Sequence, residues 1–169
     1  MSQYFSSFLL LNVVRIYSGQ HTINIGKNGL TPSSTFNGGN ISPNITLGGV
    51  NADMQYITLI VQNKSGSEPS KCIWCIWDIP SVGYIPPGYE EGEKPSFPFP
   101  AIQGINDYGE HAWHGPAPGL GVTDRLLFQV FGRNKPLGIS YDSNVDKVIE
   151  KLRDGKTVAY GYLETIYMG

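Results

Sequence analysis

The stretch "KCIWCIWDIP", residues 71 to 80, constrains the fold more than any other. It is short, rich in Ile and Trp, and stopped by Pro80, the pattern of a buried strand. Simple alternation puts Cys72, Trp74 and Ile76 on one face and Ile73, Cys75 and Trp77 on the other. Both faces are apolar, so the strand is expected at the centre of its sheet, covered on each side. Alternation also sets the two cysteines of its C-x-x-C about 10 Å apart, at roughly 3.3 Å per residue. A disulfide closes only when the Cα atoms lie within roughly 7 Å. No second C-x-x-C supplies further zinc ligands, and no helix start places the pair as a thioredoxin-type dithiol. Cys72 and Cys75 therefore read as small core hydrophobes. With no disulfide expected, the chain fits a reducing compartment, and a cytoplasmic location is expected.

A chain of 169 residues suits one domain, taken as 1–169, large enough to bury a good core. The net charge of -2, with 15% charged residues, gives no basic field to hold nucleic acid. The 21 glycines and 12 prolines point to many turns and little helix. An apolar run from Phe8 to Val14, broken by Asn12, is too short to cross a bilayer. It has no Lys or Arg before it and no small-x-small cleavage site after it, so it reads as a first strand and not a signal peptide. No transmembrane segment is expected. The sequons at Asn40, Asn44 and Asn63 matter only in a secreted chain.

Residues 8–17 and 21–25 read as strands, 28–44 as loop, and 54–62 as a second core strand that a turn-rich 63–71 joins to the opening stretch. Residues 80–124 form a long tract of Pro, Gly and aromatics. A loop of that length is functional or disordered. Tyr84, Tyr89, Phe97, Phe99, Tyr108 and Trp113 argue for order. Residues 125–131 are a further strand. In "YDSNVDKVIEKLRDGK" Val145, Val148, Ile149 and Leu152 form one apolar stripe, with Asp142 or Ser143 to cap the start and Gly155 to close the end. Residues 157–167 alternate as a last strand. The whole is mainly β, antiparallel, with a late helix.

Only three histidines exist, His21, His111 and His114. The last two sit in "GINDYGEHAWHGPAPGLGVTDR" with Asp107, Glu110, Asp124 and Arg125, and the glycines there allow close approach of backbone N–H groups to a ligand. It is not a P-loop, because the Lys-Ser/Thr ending is missing. His111 and His114 would share a metal only if the segment turned helically, which its glycines and prolines oppose. No nucleophile motif is present, no catalytic residue is assigned, and neither metal nor cofactor is expected.

Four pieces in order resemble one family. "NGGNISPNITLGGV" is similar to a "G-x-N-x-S-P-x-L-x-W-x-G-V" segment. "YITLIVQN" followed by "IWCIWDIP" resembles paired strands ending in "H-W-x-x-x-N-I-P". "GINDYGEHAWHGPAPGLGVTDRLLFQVF" resembles "G-x-N-D-x-G-x-x-x-Y-x-G-P-x-P-P-x-G-x-H-R-Y-x-F-x-x-Y", and the closing helix and strand match in order and length. The family is that of the phosphatidylethanolamine-binding proteins, nearest its bacterial and archaeal branch. The resemblance implies an antiparallel β-sandwich with few peripheral helices and a small anion pocket that typically holds a phosphate group. This chain departs from that pocket at each key place. Asn63 stands where an Asp is expected, in "NKS". Ile73 stands for the strand His, and Asp124 for the His of "H-R-Y". Trp74, Gly115, Pro116 and Arg125 remain, and His111, Trp113 and His114 lie beside them. Losing two imidazoles removes anion donors, and a carboxylate repels phosphate. Phosphate binding is expected to be weak, a cation, amine or neutral polar ligand fits better, and His111 or His114 could restore donors.

The resemblance implies a non-enzymatic binding or regulatory module, acting through protein partners such as kinases or, as an inhibitor, serine proteases. The tract 84–100, acidic at Glu90, Glu91 and Glu93, suits a basic partner face. The alternative is a small-molecule hydrolase or isomerase using Asp124 with His111 or His114, which requires those groups within hydrogen-bond reach of one cleft.

Overall fold

The structure, a computed structural model, describes residues 21–26, 30–66 and 69–169. The expected strand at 8–17 lies outside them. Nine strands follow in chain order: β1 (His21–Thr22), β2 (Asn24–Ile25), β3 (Ile45–Gly48), β4 (Tyr56–Asn63), β5 (Lys71–Pro80), β6 (Tyr84–Ile85), β7 (Ile102–Gln103), β8 (Thr123–Arg133) and β9 (Thr157–Met168). Among the described residues one α-helix, α1 (Val145–Lys151), precedes β9, and a 3-10 turn covers Pro32–Ser34. Six strands form the main sheet in the order β1-β9-β8-β4-β5-β7, and three form a smaller sheet, β2-β3-β6. All described pairs are antiparallel except β1 with β9.

The main sheet is covered on both faces, as the apolar character of β5 requires. On one face Ile57, Leu59, Val61, Trp74, Ile76, Phe128 and Val130 pack against Ile45, Leu47 and Ile85 of the small sheet. On the other, Ile60, Trp77 and Phe131 meet Leu137 and the α1 stripe through Val148 and Leu152. The helix cap is Asn144, whose side chain accepts from the Lys147 N–H. Neither Asp142 nor Ser143 serves. Gly155 adopts φ +79° just beyond the helix, where a left-handed residue turns the chain into β9.

Simple alternation fails in β5. Trp74 faces Val61 and Cys72 faces Gln62, so Ile73 is an extra residue without an opposite number. The bulge turns Ile73 and Trp74 to the same core face and brings Cys72 and Cys75 together on the other. The expected separation onto opposite faces is therefore wrong. The Cys72 thiol is hydrogen bonded to that of Cys75, and this contact, burial and the nearby Asp107 carboxylate push its pKa well above the ordinary value. Both remain free, buried thiols. A second irregularity near Thr58 coincides with Asp78 at φ +59°, whose carboxylate accepts from the Leu137 N–H.

Two further readings change. The strand expected over 21–25 is split at Ile23 between the two sheets. β3 lies between the expected loop at 28–44 and the expected strand at 54–62, where no element is expected, because four residues of alternating burial are too few to show a period.

Candidate functional site

The ends of β4 and β8 bring Asn63 and Asp124 together. Asn63 pairs with Leu126 on one side and Lys71 on the other. Its side-chain N–H donates to Asp124 Oδ2 at 3.2 Å, and its Oδ1 accepts from the Ser65 N–H at 3.0 Å. Ser65 Oγ accepts from the Arg125 N–H at 2.7 Å, and the Lys64 N–H donates to the Arg125 carbonyl at 2.8 Å. The turn "NKS" is thus bound edge-on to the start of β8. Asp124 is 8% exposed. The ammonium of Lys64 reaches Glu164 at 2.7 Å. Among the described residues, Asn63 is the one side chain that hydrogen bonds the Asp124 carboxylate.

Ile73 and Trp74 lie on β5, two strands from Asp124 in the main sheet. Ile73 is wholly buried in the core between the sheets, and its carbonyl accepts from the His114 N–H at 3.0 Å. Trp74 stands edge-on to Trp113, with centroids 5.7 Å apart, and donates its indole N–H to Gln103 Oε1 at 2.8 Å. Trp113 donates to the Ser34 carbonyl, and its own carbonyl accepts from the Asn40 side chain. Asn40 Oδ1 in turn accepts from the Gly115 N–H at 2.7 Å. Gly115 is required here, because any Cβ would collide with the Ser34 carbonyl. The Pro116 carbonyl accepts from Phe36. Asn40 of the "NGGNISP" segment thereby clamps the Gly-Pro loop, with both ends of its amide occupied.

The two histidines diverge. His114 donates from Nδ1 to Glu110 Oε1 at 2.7 Å and lies between the rings of Tyr108, 3.6 Å away and nearly parallel, and Phe36, 4.6 Å away. Lys71 caps the stack over Tyr108 at 5.0 Å. His111 donates from Nδ1 to the Gln103 carbonyl at 2.9 Å and meets the edge of Tyr141. It lines a shallow cleft of about 690 Å³ with Glu90, Glu91, Glu93, Lys94, Glu110 and Tyr141. The Glu90 carboxyl is held below the usual range by the N–H groups of Ser96 and Phe97 and the Ser96 hydroxyl. Among the described residues no hydrogen bond joins Asp124 to either histidine, and no three His, Cys, Asp or Glu side chains gather to hold a metal.

The tract 80–124 is ordered by polar residues that no motif announces. Gln103 Nε2 donates to the carbonyls of Glu90, Gly92 and His111, and Asn106 bonds the Ala112 carbonyl and the N–H groups of Tyr108 and Glu110. A lone amide among apolar and loop residues has no period. The one hint in the sequence is its place in a tract too long to stay unbraced. Among the described residues no helix is long and apolar enough to cross a membrane.

A sequence profile of the phosphatidylethanolamine-binding proteins matches residues 21–167. A UPF0098 protein of Pyrococcus horikoshii is 29% identical over 145 residues, covering 84% of this chain and 72% of that protein. A UPF0098 protein of Methanothermobacter thermautotrophicus is 30% identical over 120 residues, covering 70% and 77%. Two crystal structures share the fold at TM-score 0.72, each covering 89% of this chain and 99% of the other. They are a putative phosphatidylethanolamine-binding protein homolog of Chlamydia trachomatis, 19% identical, and E. coli YbcL, 22% identical. With the profile spanning nearly all the described residues, the chain belongs to the phosphatidylethanolamine-binding protein family.

Proposed function

We propose that this chain is a non-enzymatic binding module whose strand-end pocket has turned from anions toward cations, amines or neutral polar ligands. One observation carries the reading. Asp124 is a nearly buried carboxylate met by a single neutral amide, Asn63, at 3.2 Å. The adjacent ammonium, Lys64, is engaged by Glu164. A carboxylate so placed has no cationic partner among the described residues, so it disfavours phosphate and favours a cation. Ile73, a buried aliphatic side chain on β5, offers no donor. The enzyme alternative is less well supported, because His111 and His114 bond to Gln103 and Glu110 and not to Asp124.

Protein partners are the second part of the proposal. Phe97 is 62% exposed on a loop that the Glu90 carboxylate braces through Ser96 and Phe97. Beside it lies the cleft with Glu91 and Glu93. A rigid apolar tip flanked by carboxylates suits a basic face on a partner such as a kinase or a serine protease. The pocket is tested by titrating the labelled protein with ethanolamine and, separately, with inorganic phosphate at constant ionic strength. The side-chain amide of Asn63 and the backbone amide of Arg125 are expected to shift with ethanolamine and not with phosphate. The reverse pattern would overturn the reading.

A further inference from the structure

The cleft beside His111 is no part of the pocket at Asn63 and Asp124, and every residue that lines it is described. Its shape is set by the fold itself. The Gly92 N–H donates to the His111 carbonyl and the Gln103 N–H to the Glu93 carbonyl, both at 2.9 Å. On the opposite wall the Ile105 N–H donates to the Ser143 carbonyl at 3.0 Å, which fixes the segment just after Tyr141. Gln103 Nε2 holds the Glu90 and Gly92 carbonyls at 2.8 Å. A site so braced loses little freedom when it takes a ligand.

Several acceptors line this cleft with capacity to spare. His111 Nδ1 donates to the Gln103 carbonyl, so in the neutral ring Nε2 carries a lone pair and no proton. Among the described residues nothing donates to that nitrogen. Glu91 and Glu93 are exposed and have no hydrogen bond or ion pair among the described residues. Glu110 bonds His114 through Oε1 alone. The one ammonium among the lining residues, Lys94, pairs with none of these carboxylates. It lies over the Tyr141 ring at 5.8 Å, near the limit of about 6 Å for such a contact.

These groups narrow the ligand. A metal ion does not fit, because among the described residues no three His, Cys, Asp or Glu side chains gather to hold one. A volume of about 690 Å³ suits a side chain with its flanking backbone. The carboxylates alone would draw any cation. The neutral imidazole acceptor and the aromatic face discriminate further. A compact ammonium cannot meet an imidazole, a carboxylate and a ring face together. A guanidinium is planar, carries five donors and stacks on aromatic rings. We infer that the cleft seats an arginine side chain of a protein partner. The guanidinium donates to His111 Nε2 and the Glu110 carboxylate and takes the place of Lys94 on the Tyr141 ring, with Glu91 and Glu93 beside its charge. The inference rests on the partner surface proposed above and names its anchor, since buried arginines often dominate such contacts.

Titration of the isotope-labelled full chain with a blocked tripeptide carrying a central arginine, and separately with its lysine counterpart, at fixed low ionic strength, tests the inference. The His111 ring and the Gly92 amide are expected to shift and saturate with the arginine peptide, and the lysine peptide to bind at least about threefold more weakly. His111→Phe should abolish that preference. Glu91→Gln combined with Glu93→Gln, both exposed, should weaken both peptides by about threefold to tenfold and preserve it. Equal affinity for the two peptides overturns the inference, as does an arginine preference that survives His111→Phe. Shifts confined to Ser96 and Phe97 also overturn it but leave the wider partner surface standing. No shift at any of these positions removes both.

Discussion

β8 carries a buried charge at each end, and the two are treated differently. At its C-terminal end Arg133 is fully buried and fully matched. Asp154 meets it through two contacts at 3.0 and 2.7 Å, Thr157 Oγ1 accepts at 3.0 Å, and the Lys135 carbonyl accepts at 3.3 Å. At its N-terminal end Asp124 is almost as buried and has one neutral partner. A buried charge surrounded by partners fastens elements together, here the turn after α1 to the sheet. A buried charge left half-matched invites a ligand. On the proposed reading, the difference separates a structural site from a ligand site within one strand.

The largest effect should come from the matched end. Asp154→Ala strands a guanidinium in the core and is expected to cost about 3 kcal/mol, measured by denaturant unfolding. Asp124→Asn removes an unmatched charge and should change stability by less than about 1 kcal/mol. Equal losses at the two ends would abolish the distinction.

The second prediction is the pH dependence of that pair. The Arg133 guanidinium holds the Asp154 carboxyl below the ordinary carboxylate value. A depressed pKa gives stability that is present above the unfolded value, about 3.9, and lost as pH falls through the folded value. The stability gap between the native chain and Asp154→Asn should therefore be full at neutral pH and close below about pH 4. Asp78 has the opposite sign, because burial raises its pKa, so its contribution is present in acid and lost as pH rises. Taking the difference from a single-site variant isolates Asp154. A gap that does not close in acid would contradict the assignment of its cause.

β4, β5, β8, β9, the helix and the double coverage of β5 were legible from apolar runs and periods of two and of three to four, while the short β3, β6 and β7 were not. The bulge at Ile73 was not, since an extra residue leaves no mark in a run that is apolar at every position. That bulge reunites Cys72 and Cys75. By the resemblance Asn63, Ile73 and Asp124 stand where family motifs place other residues, and of the three the structure joins Asn63 to Asp124. The Asn63–Asp124 contact spans 61 residues and the Gln103 bonds to the Glu90 and Gly92 carbonyls span 13 and 11, and no local pattern encodes them.

Smaller in effect is the thiol pair. With the Cys72 pKa raised by Cys75, burial and Asp107, the folded chain should react negligibly with a thiol reagent near pH 8, and both cysteines should react on unfolding. Fast labelling of the native state would show β5 opening from the sheet.

The central claim is that Asp124 turned the pocket away from anions. The direct measurement is the thermal midpoint with and without millimolar phosphate, at fixed ionic strength, for the native chain and for Asp124→His. A ligand that binds only the folded state must raise the midpoint. No rise is expected for the native chain, and a rise of a few degrees is expected once the imidazole replaces the carboxylate. A clear rise in the native chain would contradict the account.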